Sequence, residues 1–233
     1  MIMKSYYNEL VKLQKEGLKN FNKLLIPNLD KEIIGVTNPK IKELLKTIIQ
    51  EKDEEFLLSL PHLYYEEDIL HGYLLSYNVY TYQELIELIE KFLPFVNNWA
   101  VCDTMAKNKK ILLKEREQYF SKCLEWVNTN KTYYIRFGLL QMMSYYLIDN
   151  YVDKIIDIIL TIHNHDYYVD MMISWLLATM MIDYQDKVIS LLKDKKLNNF
   201  IIRKTISKSI ESFRISYDTK EYLKELRKLL FNK

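Results

Sequence analysis

The sequence predicts an all-α protein, and three observations carry that prediction. Four Gly and four Pro in 233 residues leave few places for tight turns, while Leu, Ile, Lys, Glu, Tyr and Met dominate, a composition that favours helix. Apolar residues recur at three- and four-residue spacing in segment after segment, separated by short polar joints. Helix pairs return at intervals of about 35 to 40 residues, the range of HEAT-like and armadillo units. Such units cannot bury both faces alone and stack into a curved superhelix, so the expected architecture is an α-solenoid of antiparallel helix pairs with a concave groove. A compact irregular helical bundle is the alternative. The length suits one large domain, and residues 1–233 are read as a single helical-repeat domain.

Taken in order, the pattern predicts a first helix over 3–24 that stops before Pro27. Asn38 reads as the N-cap of the next helix, with Pro39 as its first residue. Further helices are expected at 53–59, 65–78, 82–93, 98–105, 110–127, 132–148, 151–162, 166–181, 184–193, 199–213 and 218–231. Short joints imply antiparallel neighbours.

Composition narrows the function. Cys102 and Cys123 have no CxxC spacing and read as ordinary thiols in a reducing compartment. Charges run through the N-terminal stretch, and no apolar run reaches the roughly 18 residues of a membrane span, so a soluble, cytoplasmic protein with no membrane partner is expected. Residues 51–90 hold ten acids against Lys52 alone, a balance of −9 that leaves +11 elsewhere in a chain of net charge +2. Two basic clusters stand out, KNKKILLKER at 107–116, with Lys107, Lys109 and Lys110, and the stretch from Arg203 to Lys233, with Arg203, Lys204, Lys208 and Arg214. Each is either a solvated helix face or part of a surface for an anionic partner. His163 and His165 do not converge as metal ligands at their spacing, and no acid or thiol completes a shell. His62 and His71 read as surface or interhelix residues. There is no phosphate loop, nucleophile triad or dinucleotide fingerprint, so neither a metal nor a cofactor is expected.

Three segments hold the candidate site. In NNWAVCDTM (97–105), Trp99 and Asp103 are one helical turn apart, which puts an aromatic face beside a carboxylate, a combination suited to a cationic sugar transition state. In TYYIRFGLLQMMSYYL (132–147), Arg136 interrupts an aromatic and aliphatic helix, and either pairs with a buried acid or reaches a phosphate. In DYYVDMMISWLLATMM (166–181), Trp175 lies on a helix that is apolar nearly all round, with Asp170 as the acid nearby. On successive units of a repeat stack, these segments would line one concave surface. The tyrosine pairs Tyr64–Tyr65, Tyr133–Tyr134 and Tyr167–Tyr168 serve either packing between repeats or stacking on a ligand.

These segments, with IIGVTNPKIKELLK (33–46), EEDILHGYLLSY (66–77) and RKTISKSIESFRIS (203–216), resemble in their order the AlkD-like family of DNA glycosylases, the HEAT-repeat DNA alkylation repair enzymes. The resemblance covers most of the chain. It implies that Trp99 and Trp175 contact the sugar and backbone of the lesion nucleotide, that Asp103 is the catalytic carboxylate, and that Arg136 holds a backbone phosphate. It also implies a monomer that acts on duplex DNA carrying N3- or N7-alkylated purines, without a deep base pocket. The competing reading is a non-catalytic helical-repeat module that binds structured DNA or a protein on its concave face, with both tryptophans as packing residues.

Overall fold

The computed structural model describes residues 4–27, 29–49, 53–77, 80–105 and 109–231. Fifteen α-helices run through them. The only extended pairing among the described residues is an isolated bridge between Glu32 and Tyr64. The all-helical expectation holds. The chain falls into two compact units, Met1–Arg116 and Glu117–Lys233. Among the described residues no helix is long and apolar enough to cross a membrane.

The first unit contains α1 (Tyr7–Val11), α2 (Leu18–Leu25), α3 (Asn38–Ile48), α4 (Glu54–Leu58), α5 (Tyr65–Tyr77), α6 (Tyr82–Phe92), α7 (Trp99–Cys102) and α8 (Lys109–Leu112). Its centre is α5, which is buried on every side from Tyr65 to Ser76 and packs on α3, α6 and α7. A helix buried all round has no polar face, yet this one begins Glu66, Glu67, Asp68. Each acid is matched to donors. Glu66 accepts the backbone N–H groups of Ile34 (2.8 Å), Gly35 (2.8 Å) and Val36 (3.2 Å). Glu67 accepts from the Ser5 hydroxyl (2.6 Å) and the Tyr6 N–H (2.9 Å). Asp68 takes the Lys31 ammonium at 2.6 Å. Sitting in the first turn, the three also face the positive end of the helix dipole. Together they tie the N-terminal segments to α5.

Of the ten acids in residues 51–90, Asp53, Glu66, Glu67 and Asp68 are buried. Burial pushes the Asp68 carboxyl up to about 7 against the pull of Lys31. Hydrogen bonds from Lys4, Tyr6 and the Phe56 N–H outweigh the desolvation of Asp53 and hold it below the usual range. His62 and His71 are likewise interior, with His62 Nε2 and His71 Nδ1 2.8 Å apart. Phe56 stacks on His62, and Phe92 stacks on His71. Burial, reinforced by the Lys31 charge, drives His62 down to about 3. Burial and the neighbouring His62 hold His71 well below the ordinary histidine range.

The helix boundaries depart from expectation at several places. The expected helix over 3–24 is two helices, because Gly17 adopts a left-handed conformation at φ +79 and caps α2. Only glycine takes that conformation without steric cost, so the apolar periodicity that spans it does not signal continuity. Thr37, not Asn38, is the N-cap of α3, and Pro39 sits at its second position. The helix expected over 98–105 is the single turn α7, followed by a turn that holds Asp103, Thr104 and Met105.

The second unit contains α9 (Arg116–Val127), α10 (Thr132–Tyr145), α11 (Asp149–Thr161), α12 (Tyr167–Met180), α13 (Gln185–Lys193), α14 (Asn199–Glu211) and α15 (Tyr217–Phe231). The expected 110–127 helix is divided between α8 and α9. Here α10 packs on α12, α12 on α14, and α14 on α15. The even-numbered helices therefore form a continuous inner row, while α11 and α13 are amphipathic, with buried residues at helical spacing. Tyr133 packs on Tyr168 at 5.9 Å between ring centroids, which makes these tyrosines part of the α10–α12 seam. Asp170 does not stand on an open phosphate track. It is buried and bonded to His165 Nδ1 (3.0 Å) and to the Asn198 amide (2.8 Å), joining α12 to the start of α14. Cys102 and Cys123 are buried free thiols.

Candidate functional site

In the first unit, the Trp99 and Asp103 segment is shaped by its caps. Asn98 lies in extended backbone and accepts the Val101 N–H through its side chain at 3.0 Å, starting α7 at Trp99. Four residues later Asp103 closes the helix, its N–H donating to the Trp99 carbonyl at 2.9 Å. The indole and the carboxylate thus lie one turn apart on one surface, both half-buried. Trp99 Nε1 donates to the Leu25 carbonyl at 3.3 Å, which draws the end of α2 to the indole.

The turn that carries Asp103 is anchored on α5. Thr104 is buried, with its hydroxyl bonded to the Val101 carbonyl at 2.7 Å and its carbonyl accepting from the Ser76 hydroxyl at 2.6 Å. Beneath it lies Gly72, where a Cβ would stand 2.2 Å from Thr104 Oγ1. Glycine at this position lets the turn settle onto the helix and fixes the height of Asp103.

In the second unit, Trp175 is 36% exposed although most of α12 around it is core. It lines an open pocket of about 340 Å³ together with Thr179 from its own helix, Lys208 and Glu211 from α14, and Ser212 and Arg214 from the joint that follows. Three of the expected site residues, Trp175, Lys208 and Arg214, are therefore brought together. Arg203 and Lys204 are not part of the pocket. Arg203 stacks over the Phe231 ring at 3.8 Å, and Lys204 lies over Phe200 at 5.8 Å. Arg136 is only 6% exposed, with Nη1 donating to the Tyr168 carbonyl at 3.1 Å, so it braces the first turn of α12. Lys110 is exposed; Lys107 and the side chain of Lys109 lie outside the described residues. No group of three or more His, Cys, Asp or Glu side chains suited to a metal occurs among the described residues.

Two features beside the expected residues escaped the sequence reading. None of the residues of α2 is buried, and Phe21, Leu24 and Leu25 stand exposed next to the helix end that meets Trp99. Their helical spacing reads as a core face, and nothing in the pattern tells an unpartnered apolar face from a packed one. Glu211 is the other, an acid within a basic stretch that only the fold places opposite Trp175.

A family model described as DNA alkylation repair enzyme matches residues 8–208. No curated protein and no solved structure matches the chain.

Proposed function

Because the chain belongs to the DNA alkylation repair enzyme family, with DNA as the partner that membership implies, we propose that it is a DNA glycosylase. Its reaction is hydrolysis of the N-glycosidic bond of N3- and N7-alkylated purines in duplex DNA. The observation that carries this reading is the half-exposed pairing of Trp99, at the start of α7, with Asp103, which closes that helix.

An alkylated purine is cationic and already a good leaving group. The remaining task is to stabilise positive charge on the sugar and to bring in water. Asp103 supplies the opposing charge and orients or deprotonates the water. The Trp99 face adds cation–π attraction of about 1 to 2 kcal/mol in a desolvated setting. In the second unit, Trp175 meets the lesion nucleotide, with Lys208 and Arg214 on phosphate. Arg136 is a further phosphate contact, weaker than these two because of its burial. Arg203, Lys204, Lys107, Lys109 and Lys110 add positive field along the DNA. The row α10, α12, α14 supports a HEAT-like repeat, and residues 1–233 are proposed to work as one monomeric helical-repeat domain.

The test is incubation of the purified protein with methylated duplex DNA and measurement of the bases released. Release of 7-methylguanine or 3-methyladenine above the spontaneous rate, lost in Asp103→Asn, is the expected result. Tight DNA binding with no release would favour the non-catalytic module.

A further inference from the structure

Phe213 is 102% exposed, the most open large apolar side chain among the described residues. It stands in the joint 212–216 between α14 and α15. This joint is held on both sides of the ring. Ahead of it, the Ser212 N–H donates to the carbonyls of Lys208 (3.1 Å) and Ser209 (3.3 Å), and the Ser212 hydroxyl accepts the Arg214 N–H at 3.2 Å. Behind it, Ile215 is buried, and the Ser216 hydroxyl accepts the Thr219 N–H at 3.2 Å. Thr219 in turn donates through its hydroxyl to the Gln185 side chain of α13 at 2.7 Å. The fold therefore holds a phenyl ring out in water from a fixed turn.

The surroundings of the ring identify what covers it. Its neighbours Ser212 and Arg214 line the open space at Trp175, as does Lys208. Lys208 and Arg214 are in no ion pair among the described residues. Against them stands the one acid Glu211, so the charge beside the ring is positive in balance. A ring flanked by uncompensated cations suits a polyanion with an apolar interior. Duplex DNA has that build, with phosphates outside and stacked bases within. Apolar side chains that act on a duplex enter the minor groove between two base steps, part the stack and bend the helix toward the major groove. The bend brings more of the protein surface onto the DNA, and it needs no base pocket. The family model ends at residue 208, so Phe213 and Arg214 lie outside the matched part.

We infer that Phe213 is a wedge for duplex DNA. With Lys208 and Arg214 on the flanking phosphates, its ring enters the minor groove and parts one base step, kinking the duplex while every nucleotide stays in the helix. This rests on the reading above that DNA runs past Trp175.

The test titrates the full chain onto a duplex that carries one tetrahydrofuran abasic analogue to set the register. A 2-aminopurine is placed at each neighbouring step in turn, because its fluorescence rises when the base is unstacked, and dyes at the two ends report bending. At saturating protein the expected result is a rise at one step only and a kink of roughly 20° or more. Phe213→Ala loses both and leaves the salt slope of binding unchanged, since no phosphate contact is removed. Phe213→Leu, still an apolar wedge, keeps both. Arg214→Ala lowers the salt slope yet keeps the rise once the DNA is saturated. The fully exposed ring makes Phe213→Ala neutral to folding, which thermal melting verifies. Bound DNA with no unstacked step, or a rise and kink unchanged in Phe213→Ala, overturns the wedge. A free chain that sediments as a dimer and returns to monomer in Phe213→Ala assigns the ring to a second copy and also overturns it. Alkylpurine release is measured on the same preparation. Release without unstacking overturns the wedge alone, unstacking that depends on Phe213 without release overturns the glycosylase reading alone, and no binding to DNA overturns both.

Discussion

Gly72 and Thr104 are in close approach: a Cβ built on Gly72 would lie 2.2 Å from Thr104 Oγ1. Thr104 has little room to withdraw, because it is buried and both its hydroxyl and its carbonyl are bonded. Gly72→Ala therefore lifts the Asp103 turn off α5. The expected result is a loss of about 1 to 3 kcal/mol in urea unfolding, as for other overpacked interiors, and a drop in alkylpurine release of roughly tenfold or more from misplacement of the carboxylate. Adding Thr104→Ala removes the clashing oxygen and restores part of the stability. Wild-type stability in the single variant would show that the turn yields freely.

Asp103 caps a single-turn helix, and its backbone N–H, not its side chain, makes the bond to Trp99. Asp103→Asn keeps that N–H and the shape of the side chain, and is expected to fold normally and to keep most DNA affinity. If the carboxylate faces a developing oxocarbenium ion, single-turnover release falls by roughly 10²-fold or more, the effect of losing a transition-state contact of a few kcal/mol. An Asp103→Asn protein that unfolds, beside a wild type that releases nothing, would make the carboxylate a structural partner.

Helix existence was legible in this sequence because apolar spacing survives in every long segment from Tyr82 onward. Boundaries failed where one residue's backbone conformation decides, as at Gly17. The segments holding Trp99 and Trp175 were legible from residue type and order, and the second lies on a pocket with two of the expected bases. The fate of the acids was not legible. Nothing in their own segment shows how Glu66, Glu67 and Asp68 are accommodated, because their donors are backbone N–H groups, the Ser5 hydroxyl and Lys31, far away in sequence. The same holds for Asp170, whose partners His165 and Asn198 are named only by the fold. Composition counts charges but does not show which of them are buried with partners.

Lys208 and Arg214 line the Trp175 pocket, while Arg203 is stacked on Phe231. The bases thus divide into two groups that a salt titration separates. Each phosphate contact contributes a slope of about −0.9 in log K against log salt. Lys208→Ala with Arg214→Ala is expected to reduce the slope for duplex DNA by nearly two such units, and Arg203→Ala by much less. Equal losses for all three would place the DNA along α14 as a whole and not at the pocket.

The interior of the first unit sets the pH dependence of stability. His62 is driven to about 3 by burial, and His71 is also lowered. Both are proton-free in the folded chain at pH values where the unfolded chain binds protons. Their contribution is full above the unfolded value near 6.5 and is lost as pH falls toward 3. Asp68 works in the opposite sense, because burial raises it to about 7 in the folded protein, from 3.8. Its proton stabilises the fold below 3.8, and that contribution disappears as pH rises through 7. Two histidines outweigh one carboxyl in the shared window. The melting temperature is therefore expected to fall between pH 7.5 and pH 5 by at least ~3 °C, the shift that ~1 kcal/mol produces in a chain of this size. Asp68→Asn removes the opposing group, so its melting temperature falls more steeply over the same interval, although loss of the Lys31 partner lowers it throughout. A flat profile from pH 7.5 to pH 5, with equal slopes in both proteins, would mean that the His62–His71 pair takes up a proton in the folded chain.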